Sequence, residues 1–227
     1  MKGSFTYAGI HCAICSNVKS PRLNNFPPLI ARDIYNYYCE DGYRVIDPCA
    51  GFSGRLIGAS VSKKKIEYTG IDPSEKTYYG LIKTKQFINN LNNNFKCNIV
   101  NGCAEDILEN YRDNSFDFCF SSPPYFDTEY YADEKTQSHI KYNNYDEWLE
   151  KFLKKTMSEI FRVLKKDRFS LINIGKFGKY NISDDLIEIS NKIGFELKET
   201  KYISFPTYEF IKSDKNNRLE PMVVLHK

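Results

Sequence analysis

The chain has 227 residues, of which 41% are hydrophobic and 27% are charged. A chain of this size and apolar content can bury one substantial core, which argues against an intrinsically disordered protein. Lys and Arg total 32 against 29 acidic residues, a net charge of +3, so charge alone does not indicate a polyanion-binding protein.

No apolar stretch approaches the roughly 20 residues needed to cross a membrane, and no apolar signal segment follows Met1. We therefore expect a soluble, cytoplasmic protein. The seven cysteines are odd in number and irregularly spaced, which favours reduced thiols over a disulfide framework. Cys12 and Cys15 have zinc-ligand spacing near His11, but a second matching pair is missing, so we expect no metal site.

From Pro27 onward, short β-rich runs alternate with longer helical patterns, which is typical of a parallel sheet with crossover helices. The runs predict five strands, near residues 43–47, 66–72, 96–101, 116–121 and 168–174. Two further strands, near 195–204 and 218–226, have no helix between them and predict an antiparallel pair. Helices are predicted over 182–193 and from Asn144 to about Leu164, where Asn144 and Glu147 resemble a capping box.

Two segments lack a sustained period. The first is residues 1–25, an N-terminal extension and a candidate lid over substrate or cofactor, ahead of a single domain over 26–227. The second is residues 126–143, which is longer than most loops in compact domains. Loops of that length are typically lids or binding loops.

Ligands of an open α/β sheet bind at the carboxyl ends of its strands. The first strand is followed by Asp47-Pro48-Cys49-Ala50-Gly51-Phe52-Ser53-Gly54-Arg55, whose glycines let the backbone approach a ligand ahead of a helix N-terminus. A tight strand-to-helix turn explains these glycines equally well. The second strand ends in Asp72, either a carboxylate for a ribose hydroxyl pair or a helix cap. Cys103-Ala104-Glu105, after the third strand, could meet an adenine edge.

The fourth strand ends in Ser121-Ser122-Pro123-Pro124-Tyr125. Two consecutive prolines remove two N–H donors and hold the backbone extended, so the neighbouring carbonyls become fixed acceptors. A planar aromatic ring follows at once. Fixed acceptors beside an aromatic face suit a flat ring with an exocyclic amine, which would stack on Tyr125 and donate to Ser122 and the Pro123 carbonyl.

Together with Asn25-Phe26-Pro27-Pro28, these motifs resemble the S-adenosylmethionine-dependent amino-methyltransferases that modify cytosine N4 or adenine N6 in DNA. The resemblance implies a Rossmann-like class I methyltransferase fold, with a mostly parallel seven-stranded sheet and helices on both faces. It also implies catalytic roles for Ser122, Pro123, Pro124 and Tyr125. Cofactor contacts are implied at Phe26, Pro27, Asp47, Ala50, Gly51, Asp72, Cys103, Ala104, Glu105 and Ser121.

The chain departs from the family at Cys103, where the adenine-contacting loop often carries Asp, and Glu105 is the expected substitute. A Ser at position 122 is commoner among cytosine N4 enzymes, so we expect cytosine rather than adenine. Candidate substrate contacts are Phe126, Tyr130, Tyr131, Lys176 and Lys179. Two alternatives stay open: the same chemistry on an RNA base, and an inactive cofactor-binding partner subunit.

Overall fold

A seven-stranded sheet forms the centre of the computed structural model, which describes residues 25–91, 94–126, 135–176, 178–205 and 218–227. The strands are β1 (Arg44–Asp47), β2 (Glu67–Asp72), β3 (Lys96–Asn101), β4 (Phe116–Ser121), β5 (Leu164–Asn173), β6 (Glu196–Phe205) and β7 (Arg218–His226). Their order across the sheet is β3-β2-β1-β4-β5-β7-β6.

The sheet is parallel from β3 to β5, and β7 lies antiparallel between β5 and β6. The predicted parallel sheet with a final antiparallel pair is confirmed. Because β1 and β4 are neighbours at the centre, the loops after them meet at one edge, with β2 and β3 on one side and β5, β7 and β6 on the other.

Helices cover both faces of the sheet. They are α1 (Pro28–Tyr38), α2 (Gly54–Ser60), α3 (Glu75–Leu91), α4 (Ala104–Ile107), α5 (Ser138–Lys141), α6 (Tyr145–Trp148), α7 (Lys155–Val163) and α8 (Ile182–Ile193). One core cluster packs α1, α2 and α3 on one face, and a second packs α6, α7 and α8 on the other. No helix in the described part of the chain is both long and apolar enough to span a membrane.

Two glycines allow α1 and the segment just before it to pack directly on the backbone of α2. A Cβ on Gly54 would lie 2.0 Å from the carbonyl oxygen of Phe26, and one on Gly58 would lie 2.5 Å from the Cβ of Ala31. Contacts below 3 Å require the helices to separate, so only glycine permits this approach. The packing fixes the segment around Phe26 against the loop that follows β1.

The long amphipathic helix predicted from Asn144 is present, but it contains a π-helical segment, Leu149–Lys154, between α6 and α7. Asn144 caps it as predicted, since its side-chain oxygen accepts from the Glu147 N–H at 2.9 Å. Trp148 and Met157 are buried, so the apolar face of this helix packs in the core. A π-helical turn contains more residues than an α-helical turn, but over six residues this does not visibly alter the spacing of the apolar residues. The π segment was therefore not predicted.

The fifth strand begins earlier than predicted, at Leu164 rather than Arg168. Leu164 is buried and pairs with Phe116, but the register then shifts before Phe118 pairs with Phe169. The polar residues in this irregular stretch include Asp167, which has a positive φ of 58°. They interrupt the apolar run and conceal the true start of the strand.

Candidate active site

A buried carboxylate organises the loop after β1. Asp47 is fully buried and ion-paired to Arg55, whose Nε lies 2.7 Å from its Oδ2. The hydroxyls of Tyr68 and Ser121 donate to the two oxygens of Asp47 at 2.7 and 2.9 Å, and a second Arg55 nitrogen donates at 3.2 Å. Four donors saturate a carboxylate, so the charge is fully compensated.

Arg55 joins four parts of the cleft. Its guanidinium also donates to the carbonyl of Cys49 and lies 5.8 Å from the ring centroids of both Phe26 and Phe120. Burial alone would lower the pKa of this guanidinium, but the charge and hydrogen bonds of Asp47 raise it above its ordinary value. Arg55 is therefore a permanent cation at the base of the loop.

Two of the predicted cofactor contacts, Asp47 and Ser121, are buried and bonded to other groups of the protein. Asp47 has no acceptor site left for a ligand, and we assign it to holding the loop in shape. Ser121 is 1% exposed, donates to Asp47 and accepts from the Cys49 N–H at 3.0 Å, so it ties the loop to β4. Ala50 is buried, and its N–H donates to the Ile71 carbonyl at 2.8 Å, which joins the loop to β2.

Gly51 and Asp72, which the sequence places 21 residues apart, lie together. The Gly51 N–H donates to Oδ2 of Asp72 at 2.9 Å, and the Ser74 N–H donates to Oδ1 at 3.0 Å. Asp72 thus caps the turn before α3, as the alternative interpretation expected. Each of its oxygens accepts a single bond among these and has a second lone pair, which can accept a ribose hydroxyl.

Burial raises the pKa of the Asp72 carboxyl to about 6, although the N–H groups of Ser74 and Gly51 lower it. Because this pKa lies above its ordinary value, the folded protein holds the Asp72 proton more tightly than the unfolded chain does. Proton binding therefore stabilises the folded state at low pH, and this stabilisation is lost as the pH rises through about 6. An asparagine does not titrate, so Asp72→Asn lacks this loss. The unfolding free energy of the variant minus that of wild type should therefore increase by about 2–3 kcal/mol from roughly pH 4 to pH 7. Urea unfolding of both proteins at both pH values measures this, and a constant difference would contradict it.

The loop after β3 is closed by an ion-pair network. Glu105 is 3% exposed, and its Oε1 accepts from Lys141 Nζ at 2.8 Å and from the Tyr142 hydroxyl at 2.7 Å. Lys141 also pairs with Asp106 at 3.1 Å. Cys103, Glu105 and Asp106 lie close enough to ligate one ion. Lys155 also pairs with Asp106, at 3.3 Å, so two ammonium groups balance the two carboxylates. We therefore assign the group as an ion-pair network rather than a metal centre.

Phe26 packs against the loop that follows β1, where the Arg55 guanidinium lies 5.8 Å from its ring centroid. Its ring packs edge-on against Phe120 at 5.1 Å. The neighbouring Asn25 donates to the Phe52 carbonyl at 2.9 Å and accepts from the Gly54 N–H at 3.2 Å. Pro27 precedes the first turn of α1. The predicted Asn-Phe-Pro-Pro segment is therefore a wall of the cleft at the amino end of α2.

The segment Ser122–Tyr125, here called the proline corner, follows β4 at the centre of the sheet. Since Ser121 is bonded to the loop after β1, the corner adjoins the cleft that contains Gly51 and Asp72. On its other side, the Ser122 hydroxyl lies 3.5 Å from Oδ1 of Asn173 at the end of β5. The corner thus separates the β1–β3 loops from the β5–β7 side.

Phe126, the residue after the corner, is in the left-handed conformation with φ of 54°, which residues other than glycine seldom adopt. Its ring is buried and packs on Tyr145, Trp148 and Tyr180, with centroids 5.6 to 5.9 Å away. Tyr145 also stacks on Tyr180 and donates to Asp185 at 2.5 Å. Phe126, a predicted base contact, is thus buried in the core, and this residue anchors the corner there.

A pocket of about 370 Å³ opens beside Tyr125 on the β5–β7 side. Its walls include Tyr125, Gly175, Lys176, Asn181, Asp184, Thr200, Tyr202 and Pro221. This size is typical of small-molecule sites, and the walls mix an aromatic ring with polar groups. Lys176, a predicted substrate contact, shares the pocket with Tyr125.

Of the other predicted substrate contacts, Lys179 lies among the described residues and two tyrosines do not. Lys179 is exposed, and its ammonium lies 5.2 Å from the ring centroid of Tyr180, at the side of the aromatic anchor. Tyr130 and Tyr131 lie outside the described residues, as do His11, Cys12 and Cys15 of the metal hypothesis.

Cysteine nucleophiles are disfavoured by burial. The five described cysteines are free thiols. Burial raises the pKa of Cys119 to about 12 and that of Cys49 well above its ordinary value. A thiol with so high a pKa is almost entirely protonated at neutral pH and is a weak nucleophile.

The cleft at Gly51 fits an S-adenosylmethionine-like ligand. Gly51 has φ of 58°, and a Cβ there would meet only the Cys49 carbonyl, at 4.0 Å, so the space above this backbone is open. Asp72 borders the space with two remaining acceptor sites, and Cys103 and Ala104 begin α4 at the next strand end. These three loops follow neighbouring parallel strands, at the edge where open α/β sheets bind their ligands.

The architecture is the Rossmann-like fold of class I S-adenosylmethionine-dependent methyltransferases. The chain is similar to a TehB-like methyltransferase from Corynebacterium glutamicum at TM-score 0.53 and 14% identity, over 97% of this chain and 98% of that one. A precorrin-6y C5,15-methyltransferase from Geobacter metallireducens aligns at TM-score 0.56 and 12% identity, over 88% and 86%. The [4+2]-cyclase SpnF aligns at TM-score 0.61 and 12% identity, over 88% and 81%, so the fold alone does not define the reaction.

Residues 116–227 match the family model described as DNA methylase, of the N6/N4 methyltransferase type. The match supports an amino-methyltransferase of N4/N6 type, as the motifs implied, and S-adenosylmethionine is the cofactor it indicates. The matched region begins with β4 and contains the proline corner. No curated protein sequence matches the chain.

Sequence reasoning missed three residues that shape the site. Arg55 and Tyr68 bind Asp47, and Asn173 contacts Ser122. Asn173 could have been found, since it is a polar residue at the carboxyl end of an apolar strand. The partners of Asp47 could not, because an Arg after a glycine loop and a Tyr within a strand carry no specific signal.

Proposed function

We propose that this protein transfers a methyl group from S-adenosylmethionine to the exocyclic amine of a DNA base, with cytosine N4 as the target. One observation carries the proposal: the proline corner stands between the open cleft at Gly51 and the pocket beside Tyr125. The family match of residues 116–227 supports DNA as the substrate class. The Ser at position 122 favours cytosine.

The corner supplies two acceptors and a ring. Pro123 and Pro124 lack N–H groups, so the backbone presents carbonyls to the cleft without competing donors. The Ser122 hydroxyl and the Pro123 carbonyl accept the two hydrogens of the target amine, and the base stacks on Tyr125. Asp72 and the backbone at Gly51 hold the cofactor, while Phe26 closes that side of the cleft.

These contacts address the weak nucleophilicity of the amine. The nitrogen lone pair is delocalised into the ring, and hydrogen bonds from both N–H groups to fixed acceptors favour a pyramidal nitrogen whose lone pair can react. When bound, the cofactor supplies an electrophilic methyl group on a sulfonium. The amine nitrogen would form the bond to the methyl carbon as the carbon–sulfur bond breaks with its electron pair left on sulfur, and one amine proton would pass to solvent. Positioning provides the acceleration, and no strong base is required.

The target base must leave the duplex stack to reach Tyr125. Flipping a base costs a few kcal/mol, and less when the strand is already single. The pocket beside Tyr125 has the volume to receive such a base. Lys176, exposed at its rim, is the residue we assign to the adjoining phosphate.

The test is product identification. The protein is incubated with isotopically labelled S-adenosylmethionine and, separately, duplex DNA, single-stranded DNA and transfer RNA, and the digested nucleosides are identified by mass. We expect label in N4-methyldeoxycytidine, with single-stranded DNA at least as good a substrate as duplex. Label in N6-methyldeoxyadenosine would overturn cytosine, and label in RNA alone would overturn DNA.

A Ser122→Ala protein prepared identically is the control. It retains the cofactor cleft but loses one acceptor, so its label should fall at least about 10-fold, as for a lost hydrogen bond to the reacting group. Equal labelling by the variant would show that a contaminating enzyme is responsible or that Ser122 has no part in the reaction.

A further inference from the structure

Asn173 connects the proline corner to the antiparallel part of the sheet. It is the last residue of β5 and is 3% exposed. Its side-chain nitrogen donates to the Pro221 carbonyl on β7 at 3.1 Å, and its Oδ1 lies 3.5 Å from the Ser122 hydroxyl. No other side chain of the described residues is hydrogen-bonded to Ser122.

The orientation of the Asn173 amide is determined by chemistry. The Pro221 carbonyl can only accept, so the amide nitrogen must face it, and the amide oxygen must then face Ser122. The reverse orientation would set two acceptors against each other in a buried site, which is costly. Asn173 pairs with Met222 across the β5–β7 ladder, so Pro221 is held beside it by backbone hydrogen bonds.

A fixed amide oxygen determines the direction of the Ser122 hydroxyl. A hydroxyl carries one hydrogen and two lone pairs, and an amide oxygen can only accept. The Ser122 hydroxyl therefore donates its only hydrogen to Asn173 Oδ1, and its lone pairs can accept a hydrogen bond from another donor. The 3.5 Å separation is long, as hydrogen bonds of catalytic groups often are before substrate binds.

We propose that Asn173 is a positioning residue that makes the Ser122 hydroxyl an obligatory acceptor for the target amine. This inference rests on the proposed function. Without Asn173, the hydroxyl can rotate and donate its hydrogen to the lone pair of the amine, which would oppose methyl transfer. A serine needs such a partner because its oxygen both donates and accepts, whereas an aspartate or asparagine carbonyl oxygen only accepts.

A double-mutant cycle tests the proposal. We measure kcat, KM and calorimetric affinity for S-adenosylmethionine in wild type, Asn173→Ala, Ser122→Ala and the double variant. Asn173→Ala should lower kcat about 10-fold in wild type but less than about 2-fold in the Ser122→Ala background, since the group it orients is then absent. The cofactor affinity should stay within about 2-fold in all four proteins.

Each other outcome has a definite meaning. Equal losses of kcat from Asn173→Ala in both backgrounds would show that it supports the corner only through packing, and this would overturn the proposal. An unaltered kcat in Asn173→Ala would also overturn it. If Ser122→Ala keeps the wild-type kcat, the proposed role of Ser122 is itself wrong, and the two failures are thus distinguishable.

Two further variants separate orientation from stability. Asn173→Leu keeps the side-chain volume without the amide, and it replaces Asn173→Ala in the same cycle if the alanine protein does not fold. Asn36→Ala is the matched control, because the Asn36 amide accepts from Ser62 and Lys63 far from the corner. It should lower stability without lowering kcat. A fall in kcat equal to that of Asn173→Ala would point to stability alone and contradict the proposal.

Discussion

Replacing Arg55 by alanine is expected to lower the free energy of unfolding by about 3–5 kcal/mol, because it leaves the Asp47 carboxylate buried without its counter-ion. Both side chains are nearly inaccessible, at 5% and 0% exposure. The variant also loses the guanidinium packed between Phe26 and Phe120. Urea unfolding followed by tryptophan fluorescence measures the loss, since Trp148 is the single tryptophan.

Lys192→Ala is the matched control for this prediction. It also breaks an ion pair, but Lys192 and Glu188 are 73% and 67% exposed, so the expected loss is below about 1 kcal/mol. The double variant Asp47→Leu with Arg55→Met removes both charges and should recover part of the stability lost by Arg55→Ala. Similar losses for Arg55→Ala and Lys192→Ala would show that burial of the pair is unimportant.

Tyr125→Ala is expected to lower turnover on DNA by about 10- to 100-fold, the effect of losing 1–3 kcal/mol of base stacking. Affinity for S-adenosylmethionine should be nearly unchanged, because the Tyr125 ring lines the pocket on the β5–β7 side rather than the cleft at Gly51. Steady-state kinetics and calorimetry on the same preparation measure the two effects.

Tyr125→Phe distinguishes the ring from the hydroxyl. It keeps the stacking face, so its loss of turnover should be clearly smaller than that of Tyr125→Ala. A fall in cofactor affinity as large as the fall in turnover would place Tyr125 on the cofactor instead of the base, and equal losses for the two variants would assign the effect to the hydroxyl.

The positions of the strands and the location of the cleft follow from local signals. Apolar runs ending in polar residues identified β1 to β4, and the rule that ligands bind at strand carboxyl ends then placed Gly51, Asp72 and Ser122 at one edge. Gly51 and Asp72 do meet there, 2.9 Å apart. Parallel neighbours make this deduction possible, because their ends lie together whatever the connecting helices contain.

Roles that depend on partners distant in sequence could not be predicted. Asp47 was expected to contact the cofactor, yet Tyr68 and Arg55 occupy it, and neither position carries a signal for this. Phe126 was expected to meet a base because it is an aromatic residue of the long segment 126–143, but it has a positive φ and its ring is buried in the core. Such a conformation has no signature in an amino-acid sequence.

The left-handed Phe126 makes the reactive corner depend on a distant part of the molecule for its rigidity. The unfavourable backbone conformation is offset by ring contacts with Tyr145, Trp148 and Tyr180, which belong to α6 and to the turn before α8. We expect heat to loosen those rings, and so to release the backbone of the corner, before the sheet itself melts. The rate of methyl transfer should therefore fall at temperatures where the secondary structure is still intact. Thermal inactivation and thermal unfolding are then separate events in this protein.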